Sequence, residues 1–256
     1  MTTEYFVDKH SIMRQIWGRG DTILFIFAGA SAEFALNKAV DWLYFTGRLP
    51  ADPLGRLFST VKYSQAIMFS EKQHALRTID SMASIHAQVE AKRGTTIPDW
   101  AYRDVLFLLI DYSIRAFELL ERKLNSAEKN EVFEVFNKVG NRMGLSGLPT
   151  SFNAWTIMRQ QHLMQNLQQS NYTTDLYAQY KKHLGAVRYK ILLQSQSLVT
   201  PPRVRALLHL NRTSLFQGVI VLYKVSKRLK IDWLLRALIL PANYKKEIEA
   251  LDRIVS

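Results

Sequence analysis

The stretch LFLLIDYSIRAFELLER, residues 106–122, indicates the class of fold. Nearly every residue before its charged end is apolar, which suits a helix that is buried on most sides. Asp111 interrupts the apolar run. A buried carboxylate needs a partner, and Arg115, four residues later, is the nearest candidate on the same helix face. We therefore expect a structural ion pair within a buried helix, with a functional acid as the alternative.

Helical periodicity continues on both sides of this stretch, and no run of alternating polarity indicates a strand. The apolar spacing predicts helices over residues 53–69, 70–92, 99–123 and 174–199, with Ser70 as the N-cap of the second. No interdomain linker, internal repeat or low-complexity segment divides the chain. The sequence therefore predicts an all-α fold, a single domain of roughly ten helices over residues 1–256.

A second apolar stretch, TILFIFAGASAEFAL at residues 22–36, contains Glu33 and is too short to span a bilayer. Its small residues at helical spacing indicate tight helix packing rather than phosphate binding. The N-terminal residues carry charges throughout and lack the apolar core of a signal peptide. We therefore expect a soluble, cytoplasmic protein.

The composition excludes several classes of function. Hydrophobic residues make up 48% of the 256-residue chain, which is enough for a full core, and there is no cysteine. Disulfides, thiolate metal sites, iron–sulfur clusters and a cysteine nucleophile are therefore ruled out. The motifs GxSxG, GxGxxG and GxxxxGK[ST] are absent too, which argues against a serine hydrolase, a Rossmann oxidoreductase and a P-loop protein.

The net charge of +12 is unevenly distributed. No acidic residue occurs between Asp175 and Asp232, and that segment carries 11 Lys and Arg residues. Such a segment could face nucleic acid, anionic lipid or an anionic cofactor, or form a solvated basic face. Residues 224–246 have cations at both ends and apolar residues between them, so they are the best candidate for a peripheral membrane contact. A nucleic-acid partner rests on charge alone, and we do not expect one.

His86 is the first candidate for chemistry, because it falls in the apolar stripe Ile79, Met82, His86 and Val89. A neutral imidazole that faces a core needs a partner for its acceptor nitrogen, which is either a hydrogen bond or a metal. The other five histidines are scattered and give no multi-histidine metal signature. Haem needs only one protein imidazole, so it is the metal centre that this chain could best support.

A polar stripe on the helix of residues 53–69 is the second candidate. Asp52 is a good N-cap and Pro53 suits the first helical position. Arg56 and Thr60 are four residues apart on one face, and Tyr63 follows them there. The stripe is either a solvated surface or a polar patch in an otherwise apolar cavity.

Four segments together resemble the MpaB-type oxygenase family, which includes the latex-clearing rubber oxygenases. They are DPLGRLFSTVKY (52–63), AIMFSEKQHALRTIDSMASIHAQV (66–89), the stretch 101–151 that begins AYRDVLFLLIDYSIR, and PPRVRALLHL (201–210). Their order and spacing match across roughly residues 20–210, which leaves 211–256 as basic C-terminal helices.

The resemblance implies a globin-like helical domain that binds a b-type haem. The histidine of the IHA segment, His86, corresponds to the proximal iron ligand, and Arg56 and Thr60 correspond to residues beside the haem. Arg56 and Thr60 are thus the expected catalytic residues, which orient oxygen or anchor a propionate. With Tyr63 they are also the expected cofactor-binding residues.

The implied function is that of a haem b-dependent oxygenase. Its co-substrate is O2, and its substrate is hydrophobic and unsaturated, with isoprenoid chains as the family's example. Rubber-cleaving members can carry a lysine beside the threonine, where this chain has Ser59. The alternative is a non-catalytic protein that carries haem or lipid on the same fold.

Overall fold

The computed structural model describes residues 4–47 and 51–211, together with Gly218. These residues form ten helices: α1 Ile12–Trp17, α2 Gly20–Leu36, α3 Val40–Phe45, α4 Pro53–Phe69, α5 Lys72–Arg93, α6 Asp99–Leu120, α7 Ser126–Arg142, α8 Phe152–Gln165, α9 Asn171–Val199 and α10 Pro202–Leu207. Only two isolated β-bridges accompany them in the described residues. The predicted all-α fold is therefore confirmed. The segment 224–246 and nearly all of the predicted C-terminal helices lie outside the described residues.

Helix α6, which contains the stretch quoted first, lies at the centre of the molecule. Phe107, Ile110, Tyr112 and Ala116 are fully buried along it. It packs against α1, α2, α7, α8 and α9. The prediction of a helix buried on most sides is confirmed, although the helix ends at Leu120, three residues earlier than expected.

A buried cluster of charges joins α6 to α2 and α8. The two terminal nitrogens of Arg159 donate to the carboxylate oxygens of Glu33, at 2.5 and 2.6 Å. Arg159 also donates to Oδ2 of Asp111, from Nε at 3.2 Å and from Nη2 at 3.1 Å. The predicted pair is present as well, with Arg115 Nε donating to Oδ1 of Asp111 at 2.6 Å. Asp111 is therefore the structural residue that its sequence context indicates, but Arg159 is a second partner.

The cluster can be buried because its charges neutralise one another and because the nitrogens of Arg159 and the carboxylate oxygens of Glu33 and Asp111 are all paired. Burial acts to lower the pKa of Arg159, but Glu33 and Asp111 outweigh burial and hold that pKa above its ordinary value. The hydroxyl of Tyr112 donates to Oε2 of Glu33 at 2.9 Å. Burial and the Glu33 carboxylate raise the pKa of Tyr112, so that hydroxyl keeps its proton and continues to donate.

The small residues of α2 allow it to approach α6 closely. A Cβ atom on Gly29 would lie 2.3 Å from two carbons of the Tyr112 ring. No side chain fits between the two helices at this point, so the prediction of tight helix packing is confirmed.

The bounds of α4 agree with the prediction, but the start of α5 does not. Asp52 caps α4, with its side chain accepting from the Gly55 N–H at 2.8 Å. Ser70, predicted as the N-cap of α5, is instead the C-cap of α4, and Glu71 is the N-cap of α5. The Lys72 N–H donates to the carbonyl of Glu4 at 2.9 Å. The N-terminal segment thus supplies a partner that a capping side chain would otherwise provide.

Helix α9 contains a kink that the periodicity does not indicate. Gly185 has φ 72° and ψ 169°, a conformation open to glycine and strained for other residues. The helix starts at Asn171, three residues before the predicted start, and ends at Val199 ahead of Pro201 as expected. Within the part of the chain that the structure describes, no helix is long and apolar enough to cross a bilayer.

Replacing Arg159 with Met should destabilise the protein strongly, because Glu33 would lose its cationic partner inside the core. We expect a loss of about 3–5 kcal/mol in the free energy of unfolding. Urea unfolding followed by circular dichroism measures it. Arg142→Met is the matched control, since Arg142 pairs with Asp80 on the surface with both side chains 48% exposed. The control should change stability only slightly. Equal losses in the two variants would contradict a central role for the buried cluster.

Candidate haem-binding site

The candidate residues lie on two neighbouring helices that pack against each other, α4 and α5. On α4, Val61 and Ser64 face the interior. Arg56 is exposed on another face, and Thr60 and Tyr63 beside it are half-buried. The polar stripe of α4 therefore lies at the surface, on a different face from Val61 and Ser64.

Arg56, Ser59 and Thr60 form one hydrogen-bonded group. The Arg56 guanidinium donates to the hydroxyl oxygens of Ser59 and Thr60, each at 3.3 Å. Both hydroxyls in turn donate to the Arg56 carbonyl, at 2.7 Å from Ser59 and 3.1 Å from Thr60. The Arg56–Thr60 pair of the sequence analysis is thus a direct contact. Ser59 is its third member.

His86 lies on the side of α5 that the apolar stripe predicts. Ile79 is fully buried, and Met82, His86 and Val89 are half-buried. The Nδ1 atom of His86 is buried, and no hydrogen bond of ordinary geometry reaches it from the described residues. The carbonyl of Met82, one turn earlier, still acts on the ring as an acceptor and favours its protonated form. A neutral imidazole has a second nitrogen, so His86 has the chemistry of a ligand histidine.

The surroundings of His86 favour the neutral imidazole. Burial lowers the pKa of His86, and the positive charge of Arg56 lowers it further. The Glu90 carboxylate and the carbonyl of Met82 act in the opposite direction without reversing the shift. A neutral imidazole is the form that binds a metal, so no proton has to be displaced at neutral pH.

Two residues that the sequence analysis did not single out lie beside His86. The ring of Tyr102 on α6 meets the imidazole edge to face, with 5.3 Å between centroids and 87° between planes. The Tyr102 hydroxyl donates to Oε1 of Glu90 at 3.1 Å, and the Ile97 N–H donates to the same oxygen at 2.8 Å. Glu90 is thus fixed one turn after His86. The four-residue spacing between His86 and Glu90 can be read from the sequence. Tyr102 comes from another helix, and no sequence pattern relates it to His86.

These residues fit a haem better than a metal held by protein alone. No group of three or more His, Asp or Glu side chains that could hold a metal ion occurs among residues 4–47 and 51–211. A haem supplies most of its own iron ligands and needs one neutral imidazole, which His86 can provide. Arg56 offers a guanidinium at the surface nearby, where a propionate could meet it.

The described residues form an α-helical domain in which His86 is half-buried beside the polar face of α4. The family model described as "ER-bound oxygenase mpaB/B'/Rubber oxygenase, catalytic domain" matches residues 8–224. The chain therefore belongs to this family, and the match extends beyond the expected 20–210 at both ends. Neither the curated proteins nor the solved structures contain a significant match to the chain.

The two charges beside His86 should move its pKa in opposite directions when they are removed. Arg56→Gln should raise the pKa of His86, because a nearby positive charge no longer opposes protonation. Glu90→Gln should lower it, because an attractive negative charge is lost. NMR titration of the imidazole resonances in haem-free protein at low salt measures both shifts.

The control for this titration is Lys62→Gln, which removes an exposed cation from the same helix as Arg56. It should leave the pKa of His86 unchanged. Because Arg56 is exposed, its effect should shrink as salt is added. A shift of the same sign in the Arg56 and Glu90 variants would contradict the proposed electrostatics.

Proposed function

We propose that this chain is a haem b-dependent oxygenase that uses O2 to oxidise a hydrophobic unsaturated substrate. Membership of the oxygenase family gives the class of reaction. The observation that carries the finer proposal is His86, a half-buried imidazole beside Arg56 whose pKa is lowered by burial and by that positive charge. Haem, when bound, supplies the iron at which dioxygen is activated.

In this proposal His86 and the residues around it have different roles in binding the haem. His86 provides the iron ligand, and Glu90 and Tyr102 limit the orientations of its ring. Arg56 is exposed, which suits a charge-assisted hydrogen bond to a propionate at the edge of a haem. Thr60 is half-buried and its hydroxyl can rotate from the Arg56 carbonyl toward a bound molecule. Tyr63 lies on the same side of α4.

The surface of α5 beside His86 suits an apolar substrate. Ile85 is 39% exposed, and Met82 and Val89 are only half-buried. A hydrophobic alkene or an isoprenoid chain that covers these side chains removes apolar surface from water. The chain's own charges would then contact the cofactor, while its aliphatic side chains contact the substrate.

The proposals about partners and location rest on the sequence. Residues 224–246 remain our proposed contact with a membrane surface, where apolar substrates partition. A cytoplasmic, membrane-peripheral protein without a nucleic-acid partner stays a prediction.

The role of His86 as iron ligand predicts that its removal abolishes the Soret band of the bound haem. Protein purified from a haem-replete host should show an intense Soret band, and His86→Ala should abolish it. His74→Ala is the matched control, because His74 is an exposed histidine on the same helix. Far-UV circular dichroism checks that both variants are folded. Added imidazole should restore the band in the His86 variant, which a purely structural role would not explain. A Soret band retained in His86→Ala would exclude His86 as the iron ligand.

Oxygen consumption separates the oxygenase from the non-catalytic carrier. The haem-loaded protein should take up O2 in the presence of at least one member of a panel of prenylated and unsaturated lipids. Thr60→Val keeps the shape of the side chain and removes its hydroxyl, so it should lower this uptake about tenfold or more while haem stays bound. Haem retention without uptake on any lipid would favour the carrier.

A further inference from the structure

A cavity of about 210 Å³, partly open to solvent, lies where α6, α7 and α8 meet. Its lining comes from residues 111–115 of α6, from Lys129 of α7 and from residues 152–160 at the N-terminal part of α8. Neither His86 nor any of the polar residues on α4 is among the residues that line it. The cavity is therefore separate from the candidate haem site.

One wall of the cavity is apolar and aromatic. Ile114, Phe152 and Trp155 contribute to it. The rings of Phe152 and Trp155 are tilted against each other, with 5.1 Å between centroids and 35° between planes. This wall suits a flat or compact hydrocarbon group.

The rest of the lining is polar and carries three cations. Arg115, Lys129 and Arg159 line the cavity, and Asp111 is the only carboxylate among its lining residues. Both oxygens of Asp111 are already engaged, one by Arg115 and the other by Arg159. Arg159 has all three nitrogens occupied by Glu33 and Asp111. The charges of Arg159, Glu33 and Asp111 are therefore paired with one another.

The two other cations of the lining, Arg115 and Lys129, differ in how far they are paired. Arg115 uses only Nε on Asp111, and its two terminal nitrogens have no partner among the described residues. Lys129 pairs at 3.0 Å with Glu118, a carboxylate outside the cavity that it shares with Lys123. The Trp155 side chain is also buried, and its indole N–H lacks a hydrogen-bond partner within residues 4–47 and 51–211.

We propose that this cavity binds a small organic carboxylate. The carboxylate group would accept hydrogen bonds from Arg115 and Lys129, and the hydrocarbon part would pack on Phe152 and Trp155. The volume, about 210 Å³, is smaller than that of pockets for drug-sized ligands and larger than a cavity that holds benzene. A ligand of about ten non-hydrogen atoms, such as benzoate, therefore matches it. This site does not depend on the haem proposal.

Isothermal titration of the full chain with benzoate, at constant ionic strength, tests the site. We expect saturable binding with a dissociation constant on the order of 0.1–1 mM. Benzamide, which has the same shape without the charge, and inorganic phosphate, which has charge without the ring, should each bind at least about tenfold more weakly. The indole N–H resonance of Trp155, assigned by its loss in Trp155→Phe, should shift with benzoate.

Lys129 and Lys123 both pair with Glu118, so their substitutions form a matched pair of variants. Lys129→Gln removes a cation from the cavity and should weaken benzoate binding about fivefold or more. Lys123→Gln removes the other lysine that pairs with Glu118. The Lys123 side chain is 83% exposed and lies outside the cavity, so this variant should leave binding unchanged. Melting curves check that both variants are folded.

The proposal is overturned by any of three results. Benzoate binding that does not saturate by about ten times the expected dissociation constant would exclude the site. Equal affinity for benzamide would show that the cations do not take part. Phosphate that binds as tightly as benzoate would make this an inorganic-anion site instead.

Discussion

The guanidinium of Arg159, buried between Glu33 and Asp111, is the interaction on which the arrangement of the central helices depends. A charge this deep is tolerated only when its partners are held at hydrogen-bonding distance. That requirement fixes α2, α6 and α8 relative to one another. The close approach of Gly29 on α2 to the Tyr112 ring on α6 also keeps these two helices at a short distance. The central helices therefore have little freedom to shift without exposing or unpairing charge.

The candidate haem site lies outside this rigid centre. Helix α5 packs mainly on α4 and α7, and only Ala75 and Ile79, both in its N-terminal half, are fully buried. The half that carries His86 is anchored by Tyr102 and Glu90 instead. A ligand histidine on a partly uncovered helix segment can accept a cofactor without disturbing the core. Burial and the positive charge of Arg56 keep the imidazole close to the neutral form, and the Glu90 carboxylate opposes them without reversing the shift of the pKa.

Interactions between residues close in sequence could be predicted, and those between distant residues could not. The Asp52 cap, the Asp111–Arg115 pair and the stripe that contains His86 all follow from spacings of three or four residues. Arg159 is 126 residues from Glu33 and 48 from Asp111, and nothing local distinguishes it from a surface arginine. Ser70 has the chemistry of a cap, but a distant carbonyl, that of Glu4, meets the start of α5.

The two regions of interest differ in how their charges are balanced. Around His86, burial lowers the pKa of the imidazole, and the cation of Arg56 and the anion of Glu90 then act on it in opposite directions. Around Asp111, both carboxylate oxygens are occupied by arginines, so the inner charges are matched and the outer donors of Arg115 remain. A carboxylate ligand there would meet a wall whose own acceptor is already saturated. It would accept from the terminal nitrogens of Arg115 and share Lys129 with Glu118, next to an apolar surface that a hydrated inorganic anion cannot use.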